Sequence, residues 1–138
     1  LLLIGVIGLF LGNLVFLSVS IALLLQAVLL GYGGLSSLGA NIIIMAIPAY
    51  LVYLVSKIEF FKLANEKIRF FIYGFLGIFF SVVFLALVLL FSDEKYEIAS
   101  YSIFLANLPA MILEGFITLF LLMYVKKSIP KLFKEVNI

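Results

Sequence analysis

Hydrophobic residues run along this chain in long blocks broken by short polar intervals. Residues 1–30 are apolar almost throughout, interrupted by Asn13, Ser18, Ser20, Gln26 and glycines, and further blocks cover about 40–56, 70–91 and 101–125. A helix needs about 20 apolar residues to cross roughly 30 Å of hydrocarbon, so each block has the size of a membrane span. Thirty residues of helix would measure about 45 Å, too long for one crossing. Gly12 and Asn13 form the natural break, because both residue types tolerate the left-handed backbone of a turn. The pattern predicts an all-α polytopic transmembrane bundle with a partial helix at 1–11 and four full spans at about 13–30, 40–56, 70–91 and 101–125. Pro48 should kink the second span. One transmembrane domain covers 1–138, with no soluble domain, repeat or low-complexity linker.

Composition turns the pattern into a statement about solvent. The 138 residues are 67% hydrophobic and 12% charged, against roughly 45–50% and about 25% for soluble domains. A water-soluble core of this size cannot hide so much apolar surface, so lipid is the solvent for most of the chain. There is no Cys and no His, hence no disulfide, thiolate or imidazole base, and not the commonest metal ligand. No Asp or Lys lies inside a span either, which removes the known intramembrane protease sites and makes an enzyme an unsuitable reading. A net charge of +2 is too small for a nucleic-acid surface. Lys57, Lys62, Lys67 and Arg69 fall in one connection, and Lys126, Lys127, Lys131 and Lys134 in the C-terminal tail. Connections 31–40 and 92–100 hold only Lys95. Because cytoplasmic loops are enriched in Lys and Arg, the 57–69 loop and the C-terminus are expected inside a cell membrane, with 31–40 and 92–100 outside. The chain opens on Leu1 rather than Met and reads as part of a longer one.

The polar residues inside the spans carry whatever chemistry exists. Ser18, Ala22 and Gln26 recur every fourth residue; Gly74, Gly77 and Ser81 form a small-residue stripe; Asn107, Glu114 and Thr118 share a face of the last span. Small residues let helices approach, while amides and hydroxyls bond across helices. These stripes, including Gln26, therefore read as packing seams. The Gly8–Gly12 pair is a lone GxxxG match. Glu114 stands apart, since an acidic side chain at mid-span is expensive and marks either a buried partner or an ion pathway. The residue alone leaves both open, with bundle packing preferred; Gln26 and Asn41 are candidate partners. In the Gly-rich connection, Ser36, Ser37 and Asn41 can cap the helix that follows.

Two motifs carry a resemblance. LLLQAVLLGYGGLSSLGANIIIMAIPAY at 23–50 resembles the LLLQALL stretch, Gly-rich turn and GGLTTLGAN motif of the membrane substrate-capture subunits of cobalt and nickel energy-coupling-factor (ECF) transporters, the CbiM/NikM family. It does so through Gln26, Gly33, Gly34, Leu35, Leu38, Gly39, Ala40 and Asn41, with Ser36 and Ser37 in place of threonines. NLPAMILEGFIT at 107–118 is similar to the family's Q-I-P-x-A-I-x-E-G-x-x-T, matching at Pro109, Ala110, Glu114, Gly115 and Thr118. Pro130 and Leu132 stand where the family has an R-P-x-L ending.

The resemblance implies the C-terminal part of an ECF substrate-capture fold. It also implies Co²⁺ or Ni²⁺ as transported substrate of the full-length protein, no cofactor within this chain, and separate coupling and ATPase subunits as partners in the bilayer. It makes Tyr32, Gly33, Gly34, Ser36, Ser37, Gly39, Asn41 and Glu114 pocket or motif candidates. The family's metal ligands, a Met-His start and a His-Pro-Thr-Gly stretch, lie upstream of the region matching Leu1, so none falls in this chain. Some relatives have a His where this chain has Tyr32. The alternatives are a non-transporting membrane scaffold and a diverged relative that captures another small substrate.

Overall fold

The computed structural model describes residues 3–31, 37–92 and 97–136, with backbone alone at Phe60, Lys62, Glu97 and Ser100. All regular structure among them is helical: α1 (Ile4–Leu11), a 3-10 turn (Gly12–Leu14), α2 (Val15–Leu30), α3 (Leu38–Lys57), α4 (Glu59–Lys62), α5 (Glu66–Ser92), α6 (Glu97–Ser128) and α7 (Pro130–Val136). Leu38–Lys57, Glu66–Ser92, Tyr101–Ser128 and the whole segment Ile4–Leu30 are each long and apolar enough to cross a membrane. The protein is the polytopic α-bundle its hydropathy predicts.

The segment Ile4–Leu30 does not run straight. Gly8 abuts Ala49, and Gly12 lies beside the Tyr53 ring, so α1 advances in the same direction as α3, toward the basic connection at 57–69. Val15 is then back in a core shared with Ala49 and Ile78. The chain therefore reverses at Gly12–Leu14, where Gly12 takes φ +53°, a value costly for any residue with a Cβ. The break expected at Gly12 and Asn13 falls in this turn, and α2 returns antiparallel to α3. The two arms differ in burial. Ile4, Gly5, Val6, Gly8 and Leu9 of α1 are buried, whereas α2 buries only Val15 and Leu23.

Backbone contact holds α1 in place. A Cβ added to Gly8 would lie 2.0 Å from the Ala49 carbonyl oxygen, one on Gly5 2.5 Å from that of Tyr73, and one on Gly77 2.7 Å from the Gly5 nitrogen. Helices come this close in lipid when small residues line the contact, because dispersion and polar contacts, not hydrophobic exclusion, drive their association.

The kink expected at Pro48 is not a break. Helix α3 continues through Pro48. Proline has no N–H for the carbonyl four residues earlier, here Ile44, and that oxygen instead accepts a hydrogen bond from Ser81 Oγ at 2.7 Å. A serine on a neighbouring helix thus satisfies the group that the proline frees.

At the basic end the helices outrun their apolar blocks. Helix α5 starts at Glu66 and α6 continues to Ser128, and Lys126 Nζ meets Glu66 Oε1 at 2.6 Å. The tail is also structured. Pro130 opens α7, suited to a first helical position by its fixed φ, and the helix buries Phe133. That ring packs edge-to-face on Phe10 at 6.3 Å and lies 5.9 Å from Phe70, closing this end of the bundle.

Candidate functional site

Toward the opposite end, α3, α5 and α6 part around a cavity of about 310 Å³, lined by Asn41, Met45, Ser81 and Asn107 with Ile44, Ile78, Val82 and Leu85. Its polar members come from three separated stretches. Asn41 sits in the first turn of α3, where its N–H bonds the Ser37 carbonyl at 2.9 Å. Ser37 occupies the N-cap position without a side-chain capping bond, so the expected cap is replaced by backbone pairing, and the Asn41 side chain lines the cavity. Asn107 Nδ2 donates to Ile103 O at 2.8 Å, which ties the amide nitrogen to its own helix. Ser81 serves both α3, through Ile44, and the cavity wall.

Below the cavity the packing becomes dry. Met111 and Ile4 join Ile78 and Val82 in one buried cluster. One turn further along α6, Glu114 and Thr118 are fully buried, each at 0% exposure. Glu114 Oε1 accepts the backbone N–H of Leu3, so neither Gln26 nor Asn41 is the partner of this carboxyl oxygen. Oε2 of Glu114 and Oγ1 of Thr118 have no hydrogen-bond partner. Gly74 makes the approach possible, since a Cβ there would sit 2.5 Å from both the Glu114 carbonyl oxygen and Thr118 Oγ1. Gly115 of the same motif leaves room for the Phe71 ring, which an added Cβ would meet at 2.6 Å.

The residues singled out from sequence thus divide. Asn41, Ser81 and Asn107 meet around the cavity, although only Asn41 was expected at a pocket. Gly74, Glu114 and Thr118 meet at the α5–α6 contact, and Gly77 meets Gly5 of α1. Tyr32, Gly33, Gly34 and Ser36 lie outside the described residues. Gly39 faces open space. Gln26 is exposed on α2, beside Ala22, Leu25, Leu29 and Leu30 in a shallow surface groove, not in a helix seam. Sequence reasoning passed over Gly5 and Met45. The glycine spacing that packs is Gly5 with Gly8, three residues apart, while Gly12 serves the turn; the triple was visible in the sequence, but its assignment needed the neighbouring helices.

Chemically the cavity offers amides, a hydroxyl and a thioether. Such neutral groups orient a hydrated ion or a polar solute through hydrogen bonds, whereas tight inner-sphere capture of Co²⁺ or Ni²⁺ favours imidazole. Among the described residues no three His, Cys, Asp or Glu side chains cluster to hold a metal.

Comparison with known proteins places these features. A family model described as the cobalt uptake substrate-specific transmembrane region matches residues 1–132. The chain is 33% identical over 123 residues to a cobalt transport protein CbiM of Clostridium tetani, covering 80% of this chain and 49% of that protein. It is 36% identical over 126 residues to its namesake in Thermosipho melanesiensis, covering 84% and 53%. A putative metal transport protein of Haemophilus influenzae is 47% identical over 49 residues, 36% of this chain and 24% of that one. The chain spans about half the length of the first two relatives. No solved structure matches it.

Proposed function

The chain belongs to the cobalt uptake substrate-specific transmembrane family, and from that premise we propose that it forms part of a membrane permease subunit for uptake of a divalent transition-metal ion, cobalt or nickel. Separate coupling and ATPase subunits supply the energy in this reading. The basic end faces the cytoplasm, as the distribution of Lys and Arg requires, and the polar cavity opens toward the outside. The observation that carries the reading is the meeting of Asn41, Ser81 and Asn107 at that cavity, which joins both sequence motifs at the end of the bundle away from the basic loops. There the amides and the hydroxyl guide the hydrated ion toward imidazole ligands supplied by the remainder of the full-length protein.

A scaffold reading would need the small-residue faces free for partner helices. Gly5, Gly8, Gly74 and Gly77 are instead occupied by contacts within this chain, which supports the transport reading over the scaffold. The reading assigns the chain no catalytic role.

Metal uptake by the full-length protein tests the assignment. Asn107→Ala and Asn41→Ala should each lower Co²⁺ uptake about two- to tenfold, the effect of losing one hydrogen bond worth roughly 0.5–1.5 kcal/mol, while the protein remains folded. Unchanged uptake in both would remove the cavity from the transport route. Orientation is checked by single cysteines: Lys95→Cys should react with an impermeant thiol reagent from outside, and Lys62→Cys only after permeabilisation.

A further inference from the structure

Helix α6 presents Asn107, Met111, Glu114 and Thr118 in succession on one face. The first lines the cavity, the second belongs to the dry cluster beneath it, and the last two form the buried polar pair below. Three helices build the dry layer between the two polar zones: Met111 from α6, Ile78 and Val82 from α5, and Ile4 from α1. Ile4 is the one contribution that depends on where a short helix begins.

That beginning is fixed by an unusual partner. The first N–H groups of a helix lack intrahelical acceptors and carry the positive end of its dipole. At α1 no local side chain caps them; Leu3 holds the N-cap position in a left-handed conformation with φ 73°. The acceptor comes from another helix, 111 residues away, as Glu114 Oε1 receives the Leu3 N–H. The contact of Gly5 with Gly77 and Tyr73 then sets the next turn against α5. We propose that Glu114 is a positioning residue: its carboxyl group seats the first turn of α1 so that Ile4 completes a dry seal between the cavity and the polar pair beneath. The proposal rests on the cavity being open to the outside, but not on any metal being carried. The unpartnered oxygens of Glu114 and Thr118 give the seal its consequence, because they draw in water as soon as Ile4 is displaced.

Thiol labelling reads this directly, since the chain contains no cysteine of its own. In the full-length protein, with any cysteine elsewhere replaced, Asn107→Cys and Thr118→Cys are introduced singly and exposed to a membrane-impermeant methanethiosulfonate from outside. Asn107→Cys should react, and Thr118→Cys should react about tenfold or more slowly, as expected when an open form is populated at 10% or less. Adding Glu114→Ala should raise Thr118→Cys labelling about tenfold. Glu114→Gln should leave it protected, because the amide oxygen accepts the same N–H. Ile4→Ala, which removes the seal but keeps Glu114, should also expose Thr118→Cys and answers the question if Glu114→Ala fails to fold.

Rapid labelling of Thr118→Cys with Glu114 intact would overturn the seal. Continued protection in a folded Glu114→Ala protein, or in Ile4→Ala, would overturn the positioning role. An unreactive Asn107→Cys overturns the open cavity itself, a separate failure from the other two.

Discussion

Two levels of the same bundle solve the problem of a helix in lipid in opposite ways. Around α1 the contacts are backbone on backbone, made by Gly5, Gly8, Gly74 and Gly77, and nothing of water size fits between them. One level away, Asn41, Ser81 and Asn107 keep α3, α5 and α6 apart around a cavity. The first level is closed by the absence of side chains, the second held open by side chains that need polar company. Neither depends on how hydrophobic the residues are. Small and polar residues therefore decide the architecture of a chain whose apolar majority only decides that it enters the membrane.

The comparison breaks most visibly at Gly8. Gly8→Leu would drive a Cβ to within 2.0 Å of the Ala49 carbonyl, a backbone conflict that no rotamer change relieves. Its cost should exceed the usual 1–3 kcal/mol of overpacking, and a thermal melt in detergent should show the folded population lost or sharply lowered. Gly39→Ala, with open space around it, should leave the same melt unchanged or slightly higher.

A middle-sized effect tests how the open level is supported. Ser81→Ala removes the donor to Ile44 O, a bond between helices of the kind worth about 0.6–1.7 kcal/mol in membranes. In a Pro48→Ala background the restored N–H can serve the same carbonyl, so the serine should matter less. A double-mutant cycle measures the difference, and strict additivity would mean the two residues are not linked. The smallest effect lies outside both levels. Glu66→Gln breaks the Lys126 pair, whose side chains are 34% and 49% exposed. Solvent screening at that exposure should hold the loss below about 1 kcal/mol, declining further in salt.

Hydropathy made the spans legible, and the chemistry of Gly12 and Asn13 marked the reversal between α1 and α2. Burial of Glu114 was also legible, because a mid-span carboxyl facing lipid is too costly. Its partner was not, since a backbone N–H such as that of Leu3 has no signature in sequence. Faces were the hardest part. Lipid and core are equally apolar, so periodicity does not tell inward from outward, and the Ser18–Ala22–Gln26 register resembled a seam although Ala22 and Gln26 are exposed. The α5 and α6 ends ran past the apolar blocks because charged turns continue a helix in water, as Glu66 and Lys126 do by pairing. Helix α7 was hidden in what looked like a basic tail; only the burial of Phe133 against Phe10 and Phe70 makes it part of the fold.

The bond from Ser81 to Ile44 has a consequence for how sequences of this kind can diverge. Position 81 answers a defect created at position 48, thirty-seven residues from the carbonyl's own neighbourhood in α3. A lineage that loses the proline regains its own N–H and releases position 81 to drift toward alanine or valine. A lineage that loses the serine first carries an unpaired carbonyl in hydrocarbon until the proline follows. The order of the two changes is therefore not free: substitutions at 48 should precede those at 81 along a family tree, and the two columns of an alignment should vary together, though the residues themselves sit on different helices.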